Sequence, residues 1–183
     1  MEISSPIGGL IYLIVPPDKK LSNHTISIEG AIESPYFILN RTSNSDWNKK
    51  VKNYPSPWAE LESESVILTV PSAEIRTLEN PEEFMRFWDQ YVALTYDFFD
   101  RDIEYKLRFI YDVGHVSGMM GYPITINTDY FQKQQKTSDF QLWSIIAHEI
   151  GHNLDLESQI ILGSIQYYAE LASVYVTQKL YNK

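Results

Sequence analysis

Short apolar runs dominate roughly the first 75 residues and predict β-strands separated by turns. The run GLIYLIVP at 9–16 ends in a proline pair, and HTISIEGAI at 24–32 alternates apolar and polar residues. SVILTVP at 65–71 has the composition of a buried strand. Between them, residues 41–63 are polar and contain two prolines, which predicts a loop with one helical turn.

The apolar period lengthens to that of a helix from residue 80 onward. Asn80 is a good N-cap, and Pro81 suits the first helical position, where a missing N–H costs no hydrogen bond. The apolar positions that follow recur at helical spacing and predict one buried face, made of Phe84, Phe87, Trp88, Tyr91 and Val92. After this helix we predict a strand within 105–113 and a short strand late in the glycine-rich segment 114–129.

Two more helices are predicted toward the C-terminus. The first opens near Ser138 and Asp139, because Ser138 followed by Gln141 matches a capping box. Its apolar stripe consists of Phe140, Trp143, Ile146, Ala147 and Ile150. The second has Ser164 as its predicted N-cap. Its apolar side holds Ile165, Tyr168, Ala172, Tyr175 and Val176, and a second side holds Gln166, Glu170 and Ser173.

The first of these helices contains the pattern His148-Glu149-x-x-His152. Positions four apart share a helix face, so both imidazoles can point at one ion, as a tetrahedral zinc site requires. Glu149 lies to one side, where it reaches a zinc-bound water and acts as general base. Gly151 is expected to remove bulk beside the metal, at about 1 kcal/mol in helix propensity relative to Ala. The alternative interpretation is an ordinary half-buried helix that carries a His-Glu pair.

A catalytic zinc needs a third protein ligand and an open position. Cysteine is absent, His24 lies far off in a predicted strand, and Asp155 and Glu157 are too close to the helix end to fold back. Glu170 lies 18 residues after His152, on the polar side of the next helix, which can pack across the first. The residues therefore predict Glu170 as third ligand, with an exposed helix carboxylate as the alternative.

Composition excludes some partners without identifying one. The 183 residues carry a net charge of −9, which disfavours nucleic acid and anionic membranes as partners. No apolar run approaches the roughly 20 residues that span a bilayer, so direct membrane insertion is not expected. The first residues lack the basic region of a signal peptide, and the absence of cysteine leaves the compartment open.

Several segments together resemble a known family. They are PSPWAELESESVILTVPSAEIRTLENPEEFMRFWDQ (55–90), GYPI (121–124), AHEIGHN (147–153) and SVYV (173–176). In this order they resemble the enhancin-like zinc metallopeptidases (the peptidase-M-sixty family), especially the branch of the transient receptor potential channel-associated factors. The resemblance implies one peptidase-like domain with an α+β fold of the gluzincin type. Its β-rich lead-in covers 1–76, and its zincin-like core at 77–183 holds a mixed sheet, the zinc-site helix and a following C-terminal helix.

The resemblance also implies roles for individual residues. His148 and His152 match the family's histidine ligands of Zn2+, and Glu149 matches its catalytic glutamate. Gly121 and Tyr122 match a segment beside the cleft and are predicted to bind substrate.

Two positions depart from the family pattern. The usual His-Ser before Gly121 is replaced by Met119-Met120. Alignment on SVYV places the family's third ligand at Gln166, while Glu170 falls where asparagine is usual. A glutamine amide is a poorer zinc ligand than a carboxylate because it is neutral. Family domains also continue with a helical subdomain, which we expect to be lacking in a chain that stops at Lys183.

Two functions remain open. The first is a zinc-dependent metallopeptidase acting on protein or glycoprotein substrates, including mucin-like, O-glycosylated proteins, as several family members do. The second is a catalytically weak or inactive binding module with a membrane-protein partner, such as a regulator of ion-channel trafficking. Glu149 favours the first, because a scaffold gains nothing from a base between two metal ligands, and Gln166 favours the second. A carbohydrate-recognition or purely structural role rests only on aromatic content.

Overall fold

The computed structural model describes residues 9–14, 16, 25–114, 118–154 and 166–181. The strands of this part are β1 (Tyr36–Ile38), β2 (Trp58–Glu62), β3 (Val66–Pro71), β4 (Leu107–Asp112), β5 (Gly118–Met119) and β6 (Ile124–Asn127). Its helices are α1 (Asn44–Lys49), α2 (Ser72–Ile75), α3 (Pro81–Phe98), α4 (Asp129–Gln134), α5 (Phe140–Leu154) and α6 (Tyr167–Tyr181), and a 3₁₀ turn covers Val51–Asn53. None of the described helices has the length and apolar character needed to cross a bilayer.

One mixed sheet contains the described strands in the order β1-β2-β3-β4-β6-β5. The pairs β1–β2, β3–β4 and β4–β6 are parallel, and the pairs β2–β3 and β5–β6 are antiparallel. This arrangement makes β5 an outer strand of the sheet, and α5 packs beside it. The observed mixed sheet with helices confirms the predicted α+β fold class. The change in composition at residue 76 does not divide the sheet, since β3 pairs directly with β4.

Aromatic side chains fill the layer between the sheet and helices α3 and α5. Trp88 of α3 lies 4.9 Å from Phe109 of β4 and 5.0 Å from Trp143 of α5, measured between ring centroids. Phe84 contacts Phe131 of α4 at 5.7 Å. Trp88, Phe109, Trp143 and Phe131 are fully buried, so α5 is held against the core by its apolar face.

The opposite face of the sheet carries a polar network. Glu60 of β2 forms an ion pair with Arg108 of β4 and accepts a hydrogen bond from Thr69 of β3 at 3.1 Å. The Tyr12 hydroxyl donates to the same Glu60 carboxylate at 2.6 Å, and the Arg108 guanidinium lies 5.0 Å from the Tyr12 ring centroid. Glu60 is 8% exposed, so its charge needs these partners.

Most elements that were predicted from a regular apolar pattern are confirmed. Strands β3, β4 and β6 lie where they were predicted, as do helices α3 and α5. Asn80 caps α3 as predicted, accepting a hydrogen bond from the backbone N–H of Glu83. Asp139, and not Ser138, caps α5, because its carboxylate accepts from the N–H of Leu142 at 3.4 Å.

Two predicted strands are wrong in their described part. Residues 9–14, 16 and 25–32 have no strand pairing, whereas Val15 and His24 lie outside the described residues. Their apolar side chains stay in solvent, with Ile14 86% and Ile28 62% exposed. An apolar alternation specifies a strand only when a neighbouring strand is available to bury one face.

The loop predicted at 41–63 does contain helical structure, in α1 and the 3₁₀ turn, but the prediction is wrong at its end, where residues 58–62 form β2. In β2, Ala59, Glu60 and Leu61 are all buried, so the strand lacks a solvent face and its sequence lacks alternation. Burial of Glu60 depends on Arg108, 48 positions later, which no local pattern reveals. Helix α4 was not predicted either.

Candidate active site

Helix α5 carries the histidine pattern beside its apolar stripe. Its apolar residues Trp143, Ile146, Ala147 and Ile150 are fully buried, which directs the opposite side of the helix toward the β5 edge. His148 is partly exposed, and Glu149 and His152 are buried at 6% and 5% exposure. The packing of the helix therefore fixes the two histidines on the same side of α5.

The two imidazoles converge through the same ring nitrogen. The Nε2 atoms of His148 and His152 lie 2.9 Å apart, with ring centroids 4.5 Å apart and ring planes at 87°. Two nitrogen ligands of a tetrahedral zinc at about 2.05 Å would lie about 3.3 Å apart. A small rotation of either ring meets that requirement, so this pair fits one metal ion.

Glu149 is placed between this pair and the sheet edge. Burial raises the pKa of its carboxyl from 4.5 to about 7, and the backbone N–H of Met120, donating to the carboxylate, lowers it in part. A carboxylate with a pKa near neutrality suits a general base at neutral pH. The fold thus places a basic carboxylate next to the predicted metal ligands.

Gly118 makes room for that carboxylate. A Cβ atom on Gly118 would lie 2.9 Å from Glu149 Oε1 and 3.1 Å from Ile126 Cδ1. Since Ile126 belongs to the neighbouring strand β6, little space is available for adjustment. The strand β5 can therefore approach Glu149 this closely only with glycine at 118.

The predicted substrate-binding residues Gly121 and Tyr122 take different positions. Gly121 pairs with Asn153, one residue after His152, which brings it to the end of the site helix. Tyr122 is 62% exposed, donates to the carbonyl of Lys106 at 3.3 Å and contacts the Tyr105 ring edge-on at 5.7 Å. The described contacts of Tyr122 thus lie on the β4 side.

On α6, Glu170 approaches the other nitrogen of His148. Its Oε1 lies 3.5 Å from His148 Nδ1, on the ring edge away from the converging Nε2 atoms, and its side chain is 68% exposed. This is the position of a carboxylate that orients a histidine ligand. Gln166 precedes α6, is exposed, and accepts the backbone N–H of Glu170 at 3.0 Å.

Gly151 serves helix packing, which corrects its predicted role beside the metal. A Cβ at Gly151 would lie 2.9 Å from the Cα of Ala169 and 3.3 Å from its Cβ. Next to this contact, Ser173 of α6 donates to the carbonyl of Ser144 at 2.8 Å. Small residues therefore let α5 and α6 approach closely, and this approach brings Glu170 to His148.

The described residues fit a metal in part. The two converging imidazoles match two of the three protein ligands of a catalytic zinc, and the adjacent carboxylate of Glu149 matches its general base. Within residues 9–14, 16, 25–114, 118–154 and 166–181, no three His, Asp or Glu side chains gather in a metal-binding arrangement. Asp155 and Glu157 lie outside these ranges.

The sequence of residues 30–164 matches the model of the family described as peptidase M60, enhancin and enhancin-like. The chain belongs to this family. Membership confirms the resemblance drawn from the segments around residues 55–90 and 147–153.

Among curated proteins, this M60 domain is similar to TRPM8 channel-associated factors. It is 36% identical over 153 residues to channel-associated factor 1 of Bos taurus and 38% identical over 153 residues to the homolog of Danio rerio. Each alignment covers 80% of this chain, but only 16% and 17% of the respective relatives. The chain thus spans about a sixth of the length of the curated relatives it matches.

Solved M60 structures share the fold at low sequence identity. The ZmpB metallopeptidase of Clostridium perfringens superposes with a TM-score of 0.62 at 18% identity, covering 80% of this chain and 33% of that one. A metallopeptidase of Bacteroides thetaiotaomicron gives 0.66 at 14%, covering 80% and 27%. The Clostridium perfringens ZmpC catalytic domain, in complex with the sialyl T antigen, gives 0.64 at 17%, covering 83% and 34%.

Three site residues were missed by the sequence reasoning: Gly118, Met120 and Asn153. Asn153 directly follows the histidine pattern, so its place at the end of the site helix was readable. Its pairing with Gly121, 32 positions earlier, was not, because that contact depends on how β5 and β6 fold back toward α5.

Proposed function

We propose that this M60 domain is a zinc-dependent metallopeptidase that hydrolyses peptide bonds. The observation that carries the proposal is the convergence of the His148 and His152 Nε2 atoms, 2.9 Å apart, beside the buried carboxylate of Glu149. The two nitrogens are at hydrogen-bonding distance from each other, but a buried acid costs folding free energy, so a structural role alone leaves Glu149 unexplained.

Each residue then has a defined task. Zinc held by His148 and His152 would polarise an attacking water and the scissile carbonyl. Glu149 takes the proton from that water and delivers it to the leaving amine. The Met120 N–H holds the Glu149 carboxylate in place, and the buried setting keeps the carboxylate basic.

The third ligand is proposed to come from the start of α6. Glu170 can serve if its exposed side chain rotates from the Nδ1 side of His148 to the Nε2 side, a rotation that breaks no buried contact. If Glu170 stays at Nδ1, it orients His148, and Gln166 is the remaining candidate described in this segment.

The proposed substrate is an extended peptide lying along the outer edge of β5. An outer strand presents backbone N–H and C=O groups that can pair with an added strand. An O-glycosylated substrate is supported by the relative that was solved with the sialyl T antigen. Gly121, two residues after β5, and the exposed side chain of Tyr122 are proposed to contact the substrate.

The test compares wild-type protein with the Glu149→Gln variant on an O-glycosylated peptide. We expect the variant to retain zinc and lose hydrolysis, because the amide cannot accept the proton of the attacking water. Glu74→Gln on α2, which packs on β2 and β3, is a matched control that should keep both properties. Equal hydrolysis by wild type and Glu149→Gln would show that the base is misassigned.

A second candidate function is a protein-binding module that engages a membrane protein. It is favoured by the names of the similar curated proteins, which are channel-associated factors for TRPM8. Its test is binding of the purified TRPM8 channel to the metal-free domain. Binding that survives removal of zinc, in a protein that hydrolyses no peptide, would favour this function over the first.

A further inference from the structure

Asn153 makes an unusual pair of hydrogen bonds with a single residue. Its Oδ1 accepts the N–H of Gly121 at 2.9 Å, and its Nδ2 donates to the carbonyl of Gly121, also at 2.9 Å. The side-chain amide therefore pairs with Gly121 as the backbone of a neighbouring strand would. Neither bond goes to a backbone group of α5, so this contact is not a cap of that helix.

This pair is one of three attachments between α5 and the segment 118–121. Gly118 packs against the Glu149 side chain, and the Met120 N–H donates to the Glu149 carboxylate. Glu149 and Asn153 are four positions apart, so they lie on one face of α5. The helix thus holds this edge segment at two points one turn apart.

The conformation of Gly121 explains why the segment 118–121 needs stabilising contacts from α5. Its φ of +132° is rarely adopted by residues with a side chain, and the turn at 120–123 has no described helix or strand. Without the two bonds from Asn153, the segment after β5 would be attached to α5 only through Glu149 itself. Glu149 would then have to hold the segment 118–121 in place, and the segment could not fix the Glu149 carboxylate.

We propose that Asn153 is a positioning residue, which fixes the edge segment 118–121 against α5 and thereby holds the Met120 N–H on the Glu149 carboxylate. The proposal deepens the peptidase function, on which its kinetic part rests. Its structural part makes no use of metal or substrate. Asn153 would then connect β5, where the substrate is proposed to bind, to Glu149, which is proposed to activate the water.

The structural part is tested by amide hydrogen exchange at Met120 and Gly121, followed by NMR on metal-free protein. Asn153→Ala should raise exchange at Gly121 by about tenfold or more, since two hydrogen bonds are lost. The decisive readout is Met120, whose exchange should rise in the same variant although Asn153 does not touch it. A purely local role of Asn153 would change Gly121 and leave Met120 unaltered, and that result overturns the proposal.

Two further variants sharpen this measurement. Asn153→Asp retains an acceptor for the Gly121 N–H but lacks the donor, so its exchange rates should lie between those of wild type and Asn153→Ala. Asn48→Ala is a matched control, because the Asn48 amide also makes two hydrogen bonds to backbone groups, donating to the carbonyls of Asn44 at 2.9 Å and Glu79 at 2.7 Å. It should leave Met120 and Gly121 unchanged. If Asn153→Ala fails to fold, the Asp variant still decides, and wild-type exchange in it overturns the proposal.

The kinetic part is read in zinc-loaded protein. We expect Asn153→Ala to retain zinc and to lose about tenfold in kcat/KM. Unchanged kcat/KM alongside faster exchange at Met120 would refute the positioning role. A wild type that binds no zinc and hydrolyses nothing would refute the peptidase function alone, because the exchange comparison remains valid without either.

Discussion

The two helices that meet at the candidate site differ in how firmly they hold their polar residues. On α5, Glu149 and His152 are buried, and Glu149 is fixed by Gly118 and Met120. On α6, Glu170 is 68% exposed and makes one 3.5 Å contact, with His148 Nδ1. His148, His152 and Glu149 therefore form a preorganised unit, whereas Glu170, the proposed third ligand, is an exposed side chain with one described contact to that unit.

The largest effects should come from the α5 side. We expect His148→Ala and His152→Ala each to weaken zinc binding by at least about a hundredfold, because a structural zinc site is worth roughly 10–16 kcal/mol shared among its ligands. Titration of zinc into chelator-treated protein measures this loss. Affinities within threefold of wild type in both variants would refute the pair as ligands.

Substitutions on α6 should have smaller effects that separate the two roles of Glu170. If Glu170 orients His148 from Nδ1, Glu170→Ala should weaken zinc binding by about 10- to 100-fold. If it rotates to become a ligand, the loss should match that of the histidine variants. Gln166→Ala tests the competing position by the same titration, and negligible effects of both variants would remove α6 from the site.

Adding a side-chain atom at Gly151, between α5 and α6, should lower the stability of the fold. Gly151→Ala places a Cβ 2.9 Å from the Ala169 Cα, so the helices must separate, at an expected cost of about 1–2 kcal/mol that exceeds the gain in helix propensity. Urea unfolding measures the free energy, and zinc titration should show a weaker site because Glu170 moves away from His148. A more stable Gly151→Ala protein would contradict the observed helix packing.

The smallest predicted effect concerns the pH dependence of stability in metal-free protein. The carboxyl of Glu149 titrates near 4.5 when unfolded and, owing to burial, at about 7 when folded. The folded state therefore binds the proton more tightly, and folding free energy is lost as pH rises from 4.5 to about 7. Glu149→Gln does not titrate, so its stability gain over wild type should be larger at pH 8 than at pH 4.5, by about 1 kcal/mol. Thermal unfolding at both values with chelator measures it, and an equal gain at both would contradict the burial of a charged Glu149.

Sequence reasoning succeeded where one local pattern determined the structure. Asn80-Pro81 and the apolar stripe specified α3, and the stripe of α5 oriented His148 and His152 correctly because a helix face is a local property. It failed where burial depends on distant partners, as for Glu60, whose carboxylate is paired with Arg108 and bonded by Thr69 and Tyr12.

The same distinction applies within the site. The sequence predicts that Gly151 leaves space beside the metal, whereas in the structure Gly151 leaves space for Ala169 of α6. The position of Glu170 relative to the two nitrogens of His148 depends on how closely α5 and α6 pack, and no spacing in the sequence encodes that distance. The Asn153–Gly121 pairing likewise required the folded edge of the sheet.

The most direct test of the account is the zinc content of the purified wild-type chain, determined by elemental analysis without added chelator. We expect one zinc ion per chain in the wild type and a clear loss of zinc in the His148→Ala and His152→Ala variants. A metal-free wild-type protein that also fails to take up zinc when titrated would contradict it.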